Sequence, residues 1–380
     1  KFHDPNSNSK IKIGYFSADF HDHPVAHLIS GMLENHDKSR FEIYGFSHGS
    51  VIEDASRQRI EKALDQIIDT ETLSDDEVVE ICNNIQLDIA IDLGGYTSGA
   101  RPEIFSKKCA PIQINYLGYP GTMANPAYDY IVADEFIIPE RNRSCYTEKI
   151  IYLPSYQVND STKAISNTPA SRAEQGLKDD IFVFACFNNT YKINPEVIIC
   201  WVNILKSVPN SILWLASSSD FANTRLIQEF EKNGIARDKI IFAKRMEKLE
   251  DHLARLRLAD LFLDTFFYNA HTTASDALWA GLPVITLAGE TFASRVAGSL
   301  LTSLNTPELI TFTKEEYQTL AISLATEPHK LRELMKKISA NKEKSQLFNT
   351  NLYTKNLEKG FEAIHSLWAS NASTSNIFIT

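Results

Sequence analysis

The chain has 380 residues, of which 43% are hydrophobic and 23% charged, and a formal net charge of −10 at pH 7. Single hydrophobic cores seldom grow past about 250 residues, so two domains are expected. The acidic balance argues against a nucleic-acid partner, since backbone phosphates are bound by Lys and Arg, and no run approaches the roughly 18 apolar residues of a membrane span.

Residues 1–10 are polar and expected to be loosely held. In the first half, residues 11–17, 41–47, 87–93 and 111–117 read as strands, with shorter apolar runs at 130–133 and 149–153. Helical periodicity occupies 26–34, 75–84 and 102–107. Residues 159–180 are polar and aperiodic, and form the linker candidate. The pattern then restarts, with strands at 182–187, 211–216, 239–243, 258–263 and 283–287. Helices fall at 195–206, 223–232, 248–255, 273–280, 293–303, 315–325 and 329–339. A last helix, 351–368, has no strand partner in the sequence and is expected to pack across the junction, before a loose polar stretch at 370–375. Alternating strands and helices imply parallel sheets covered on both faces. The expected fold is α/β, two doubly wound Rossmann-like lobes with a cleft between them: residues 1–165, residues 166–345, and a C-terminal helix and tail at 346–380. Cys82, Cys109, Cys145, Cys186 and Cys200 are odd in number and lack Cys-x-x-Cys spacing, which fits reduced thiols in a cytoplasmic protein.

In open parallel sheets, ligands bind at the carboxyl ends of the strands. The strand at 258–263 ends at Asp264-Thr265, and Thr272 and Thr273 stand where the cap of the next helix is expected. A helix N-terminus offers unpaired N–H groups and a positive dipole end, which favour a phosphate. Asp276, one turn in, can accept hydrogen bonds from a ribose diol. His271 directly precedes the threonines and is placed beside the phosphates. Lys192 follows the opening strand of the second half, where an ammonium can neutralise a departing diphosphate; a solvated loop lysine explains that fragment equally well. His252 and Arg255, three apart on one helix face, can stack on a base and bond its edge, although alone they read as a surface pair. There is no Gly-x-Gly-x-x-Gly, no P-loop and no Asp-x-Asp, so no metal-anchoring carboxylate pair is visible.

In the first half, His21, His23 and His27 fall within seven residues. Pro24 starts a helix between them, so they do not share a face, and a metal reading fails. His23, near the strand end, is the acid–base candidate, whereas His27 packs or caps. Gly94, Gly95, Gly118 and Gly121 follow two further strands; they permit close approach of a ligand to the backbone, and tight turns explain them as well.

Taken together, five segments in collinear order resemble the catalytic region of the protein O-GlcNAc transferase family, which includes SPINDLY, and are most similar to its bacterial members. They are Ile13-Gly-Tyr-Phe-Ser-Ala-Asp-Phe20 with His23-Pro24, Gly95 to Glu103, Ala110 to Thr122, Phe187-Asn-Asn-Thr-Tyr-Lys192, and Leu258 to Val296. The resemblance implies a two-lobed GT-B type, metal-independent, inverting glycosyltransferase that moves GlcNAc from UDP-GlcNAc to Ser or Thr of a protein acceptor. It needs no cofactor beyond the UDP-sugar co-substrate. It implies that Lys192 contacts the diphosphate, that His271, Thr272 and Thr273 cradle phosphates, and that His252 and Arg255 hold the uracil while Asp276 binds ribose. His23 is implied in the active site as a base. Leu117, Gly118, Tyr119 and Pro120 are implied to line the sugar pocket.

Three positions depart from the family pattern. Ile85 stands near an Asp proposed as base in animal members. Asn189 replaces a Gln of the donor site and matches the Asn-Asn of SPINDLY, which uses GDP-fucose. Tyr268 replaces a smaller residue near the donor N-acyl group. The tetratricopeptide repeats usual in the family are not recognisable, which points to a catalytic fragment or a short member. Other readings are the same fold with UDP-glucose, GDP-fucose or a glycan acceptor, a nucleotide-sugar epimerase, and a silent nucleotide-binding module.

Overall fold

The computed structural model describes residues 2, 10–168 and 171–380. Most of the polar start therefore lies outside the described residues. The chain forms two compact units, one of residues 1–161 with 346–380, the other of residues 162–345.

In the first unit the order is β1 (Ile11–Ser17), α1 (Pro24–Glu34), β2 (Phe41–Ser47), α2 (Ala55–Ala63), β3 (Gln66–Asp69), α3 (Asp75–Ile85), β4 (Ile89–Asp92), α4 (Pro102–Ser106), β5 (Ile112–Asn115), β6 (Tyr130–Ala133) and β7 (Lys149–Tyr152). β1 pairs with β2 in parallel along its whole length, Ile11 facing Phe41 and Ser17 facing Ser47. α1 begins at Pro24 because its missing N–H costs nothing there. α3 begins with a reciprocal cap between Ser74 and Glu77, and Asp75 and Asp76 add negative charge at the positive dipole end. β1 lies between β4 on one side and β2 then β3 on the other, so the strand order reverses between β1 and β4.

In the second unit the order is β8 (Phe182–Cys186), α5 (Pro195–Ser207), β9 (Ser211–Ala216), α6 (Asp220–Lys232), β10 (Ile240–Ala243), α7 (Leu249–Leu256), β11 (Leu261–Leu263), α8 (Thr272–Ala280), β12 (Val284–Leu287), α9 (Val296–Ser303), β13 (Ile310–Thr311), α10 (Lys314–Thr326) and α11 (Pro328–Lys342). Its strands run β10-β9-β8-β11-β12-β13, all parallel, with the reversal between β8 and β11. Trp201 and Trp214 are fully buried in its core.

The last helix, α12 (Thr350–Ala369), packs against α1 and β5 in the first unit. Tyr353, Leu357, Phe361 and Ile364 form its buried stripe at helical spacing. Glu358, on the same face, accepts from or shares a proton with His36 Nδ1 at 2.9 Å, and the Tyr15 hydroxyl meets His36 Nε2 at 2.9 Å. The tail is not loose throughout. After an irregular stretch, β14 (Ile377–Phe378) joins the sheet edge beside β7. Asn376 Oδ1 accepts from Ile150 N–H at 2.9 Å, and Phe378 stacks on Tyr152 at 4.8 Å.

The stretch 159–180 is not a free linker either. Asp160 is buried against Arg59, and Arg172 donates to Ile181 O at 3.0 Å and to Asp260 at 3.0 Å. Among the described residues, no helix is long and apolar enough to cross a membrane. Four cysteines are buried and unpaired, and Cys145 is exposed.

Candidate functional site

The carboxyl ends of β8 and β11 flank the strand reversal of the second unit, where an open parallel sheet leaves a crevice. Two loops leave this edge, residues 187–194 and 264–271. Asn188, 1% exposed, ties them together: its Nδ2 donates to Thr265 Oγ1 at 2.8 Å and Asp264 Oδ1 at 3.2 Å, and its Oδ1 accepts from Thr273 Oγ1 at 2.5 Å. Asp264, wholly buried, accepts from Thr265 N–H at 2.7 Å, Ala270 N–H at 2.6 Å and Thr286 Oγ1 at 2.7 Å. Burial pushes the Asp264 carboxyl up to about 6, against the lowering effect of these donors and of Lys192.

Lys192 is not the solvated loop lysine that its fragment alone allows. Its ammonium donates to Asn269 O at 2.9 Å and lies 3.8 Å from the centre of the Tyr268 ring, a cation–π contact. Burial lowers its pKa to about 8, and Asp264 opposes that fall. At pH 7 it remains mostly protonated. Tyr268 also packs against His271, with ring centres 4.8 Å apart and the rings tilted by 46°. Burial first, then the Lys192 charge, hold His271 down to about 3, so its ring is neutral.

The cap of α8 differs from the sequence expectation. His271 takes the cap position without a side-chain bond to the helix, and Thr272 and Thr273 are its first two helical residues. The reason is competition: His271 Nε2 engages Ala293 O at 3.1 Å and the Thr273 hydroxyl is spent on Asn188. The first turn of α8 therefore keeps donors that no side chain caps, close to the Lys192 ammonium.

His252 and Arg255 lie on α7, and the surface-pair reading fails, because Arg255 is 4% exposed. Arg255 donates from Nη2 to His252 Nδ1 at 2.9 Å and from Nη1 to Lys244 O, and its guanidinium lies 5.0 Å from the Phe187 ring centre. Among the described residues its Nε is buried with no hydrogen-bond partner. Burial, then Arg255, bring His252 down to about 4. With Nδ1 accepting, the neutral ring carries its hydrogen on Nε2. Asp276, on α8, is near enough to raise His252, so these three groups form one cluster. Asn189, in the 187–194 loop, is exposed.

The first-unit candidates follow β1 and β5, which flank β4. His23 caps α1, its Nδ1 accepting from Val25 N–H at 3.3 Å, with Asp19 Oδ2 at 3.5 Å. Burial lowers its pKa, against the raising effect of Asp19. His27 bonds Asp22 at 2.6 Å. Leu117 takes a left-handed backbone (φ 75°), and its carbonyl accepts from the Tyr156 hydroxyl at 3.2 Å. A Cβ on Gly118 would sit 1.9 Å from Leu93 O, and one on Gly95 (φ 59°) would sit 2.4 Å from Tyr119 Cβ. The glycines thus let the loops after β4 and β5 approach each other. Gly118→Ala is expected to lower the melting temperature by several degrees, about 2 kcal/mol or more, since backbone must move; a thermal melt within one degree of wild type would refute the close approach. Tyr119 and Pro120 are partly exposed beside it. Among the described residues, no group of three or more His, Cys, Asp or Glu could hold a metal ion.

A family model described as Glycosyl transferase family 41 matches residues 1–166 and 158–357. The chain belongs to that family. It is 39% identical over 368 residues to an Arabidopsis thaliana protein named as the probable UDP-N-acetylglucosamine–peptide N-acetylglucosaminyltransferase SEC; the match covers 95% of this chain but 38% of that relative. Among solved structures, a Lys-to-Met mutant of the Thermobaculum terrenum O-GlcNAc transferase superposes with a TM-score of 0.91 at 29% identity, covering 98% of this chain and 71% of that one. A Listeria monocytogenes putative UDP-N-acetylglucosamine 2-epimerase covers 98% of this chain and all of its own at a TM-score of 0.55, with 12% identity, a likeness of fold alone. The two parallel sheets are those of the GT-B type.

Family membership does not by itself assign roles to side chains. The second unit brings together Lys192, Tyr268, His271 and Thr273 around one loop pair, and His252, Arg255 and Asp276 in a second cluster where Phe187 packs against His252 and Arg255. Asn188 and Asp264, which organise both loops, have no role in the sequence reading. The signal for each was a polar residue at the exit of an apolar strand.

Proposed function

We propose that this chain carries the catalytic centre of a protein O-glycosyltransferase, moving GlcNAc from UDP-GlcNAc to serine or threonine hydroxyls with inversion at the anomeric carbon. The observation that carries this reading is the Lys192 ammonium, desolvated and fixed by Asn269 O and the Tyr268 ring, next to the uncapped start of α8. A leaving UDP develops charge on its β-phosphate as the anomeric C–O bond breaks, and a preorganised cation with helix N–H groups stabilises that charge without reorganising. His252, Arg255 and Asp276 offer donors and an acceptor suited to a uridine. The acceptor hydroxyl attacks the opposite face of the sugar and loses its proton to a base. His23 is the base the family resemblance implies. With Nδ1 engaged by Val25 N–H, its hydrogen sits on Nε2, so that role requires the Val25 bond to open.

The names of the SEC relative and of the Thermobaculum enzyme support this donor and acceptor class. The chain spans well under half of the SEC relative's length, so acceptor choice is tested rather than carried over. Co-expression with candidate acceptor proteins, read by mass spectrometry, is expected to add N-acetylhexosamine to Ser or Thr. Addition of a plain hexose or a deoxyhexose would move the donor to UDP-glucose or GDP-fucose; a sugar epimer formed without acceptor would replace transfer altogether. In vitro, transfer is expected to persist with excess chelator, since Lys192 and α8 meet the diphosphate charge.

A further inference from the structure

Lys163 lies in the polar segment that opens the second unit, where the sequence shows no motif. Its ammonium bonds Asp276 Oδ1 at 2.6 Å, and the pair is almost sealed, 4% and 8% exposed. The backbone at Lys163 and just after it is strapped to both helices that bear the nucleoside candidates. Trp279 Nε1, on α8, donates to Lys163 O at 3.1 Å, and Ser166 N–H donates to Glu250 O in the first turn of α7 at 3.1 Å. The Lys342 ammonium covers the Trp279 ring at 3.8 Å and holds that strap down. Lys163 and Asp276 both act electrostatically on His252, so the three groups are neighbours.

The hydrogen-bond count at this pair is incomplete. An ammonium has three donors, and among the described residues the only acceptor that Lys163 Nζ meets is Asp276 Oδ1. Asp276 Oδ2 likewise has no protein partner among the described residues. A buried cation with unspent donors is costly to maintain unless something polar meets them. A donor and an acceptor side by side, next to a base-binding pair, match a vicinal diol: one hydroxyl accepts from the ammonium, and its neighbour donates to the carboxylate.

We propose that Lys163 reads the ribose of the nucleotide, its ammonium donating to one ribose hydroxyl while Asp276 Oδ2 accepts from the other. This rests on the nucleotide reading of the site given above, and it adds a binding residue from outside both helices. It also makes the segment that opens the second unit part of the donor site. The competing explanation is a structural staple, in which Lys163 only fastens the segment to α8.

Calorimetric titration with UDP and with 2′,3′-dideoxy-UDP separates the two. The wild-type chain is expected to prefer UDP by about tenfold or more, the scale of charge-assisted hydrogen bonds to a diol. Lys163→Met should lose about tenfold in UDP affinity while binding the dideoxy nucleotide within twofold of wild type. Lys163→Arg, which keeps the charge and donors, should restore part of the hydroxyl preference, and it stands in if the Met variant fails to fold. Equal weakening toward both nucleotides, or no weakening toward either, overturns the proposal in favour of the staple. Absence of UDP binding by the wild-type chain would remove the nucleotide reading itself, whereas UDP binding without hydroxyl preference removes only the role of Lys163.

Discussion

Lys192→Met should leave a folded protein that turns over at a hundredth of the wild-type rate or less. Loss of one preorganised donor to developing negative charge typically costs on the order of 10²–10³ in kcat. The effect should fall on kcat more than on KM, because the bond to the β-phosphate strengthens as the leaving group forms. Met fills much the same volume and relieves the cost of burying an ammonium. It also leaves Asn269 O and the buried Asp264 carboxylate without their cation, so a melting temperature lowered by a few degrees, with the protein folded at the assay temperature, is expected. The pH profile gives an independent reading. Lys192 is charged below about 8 in the free protein, so kcat/KM should fall as pH rises through that value, and this limb should vanish in the Met variant. Turnover within tenfold of wild type would remove Lys192 from the chemistry.

The elements most legible in the sequence are those whose own residues dictate them. β1 and β2 are apolar runs buried along most of their length, and their ends coincide with the sequence reading at both termini. α2 and β3 escaped that reading for a physical reason. Only Arg57, Ile60 and Ala63 of α2 are buried, one of them a charged residue closed off by Glu61, Asp69 and Ser47, so no apolar stripe exists to be seen. β3 is an edge strand without a fully buried residue. β13 and β14 have two residues each, too short for periodicity. The placement of α12 was also hidden: its stripe announces a buried helix but not which unit receives it, and the Glu358–His36 pair joins residues far apart in the chain.

The candidate site divides the same way. Lys192 and His271 stand in loops that leave the carboxyl ends of strands, and Thr273 in the first turn of the helix that follows, where topology alone points. Lys163 could not be found so, since nothing local distinguishes it from other polar residues between 159 and 180. Its partner Asp276 is 113 positions away. The N-cap of α8 differs from the sequence reading because the Thr273 hydroxyl, a good cap in isolation, is claimed by Asn188 from the loop after β8.

Asp264 should prove the residue on which the second unit's site depends most for its shape. Asp264→Ala strands the Thr265 and Ala270 N–H groups, the Thr286 hydroxyl and one Asn188 donor, and leaves the Lys192 charge without its buried counterpart. Losses of this kind run to about 3–5 kcal/mol, which chemical denaturation would report; a loss below about 1 kcal/mol would refute the arrangement. Asp264→Asn separates shape from charge. Its remaining oxygen can keep the Ala270 and Thr265 bonds, and the Thr286 hydroxyl can turn to accept, so most of the stability should survive. The sign of its pH dependence follows from burial. The wild-type carboxyl binds a proton more tightly when folded, up to about 6 against an ordinary 3.8, so folding is favoured below 3.8 and that advantage is lost as pH rises through 6. The variant has no such loss, and its melting temperature should gain on wild type between pH 4 and 6. Its activity should move the other way. Without the carboxylate, Lys192 loses the opposite charge that supports its protonation, and the alkaline limb of kcat/KM should shift below pH 8 by roughly one unit. An unshifted limb in a stable Asp264→Asn protein would mean that the group titrating there is not Lys192.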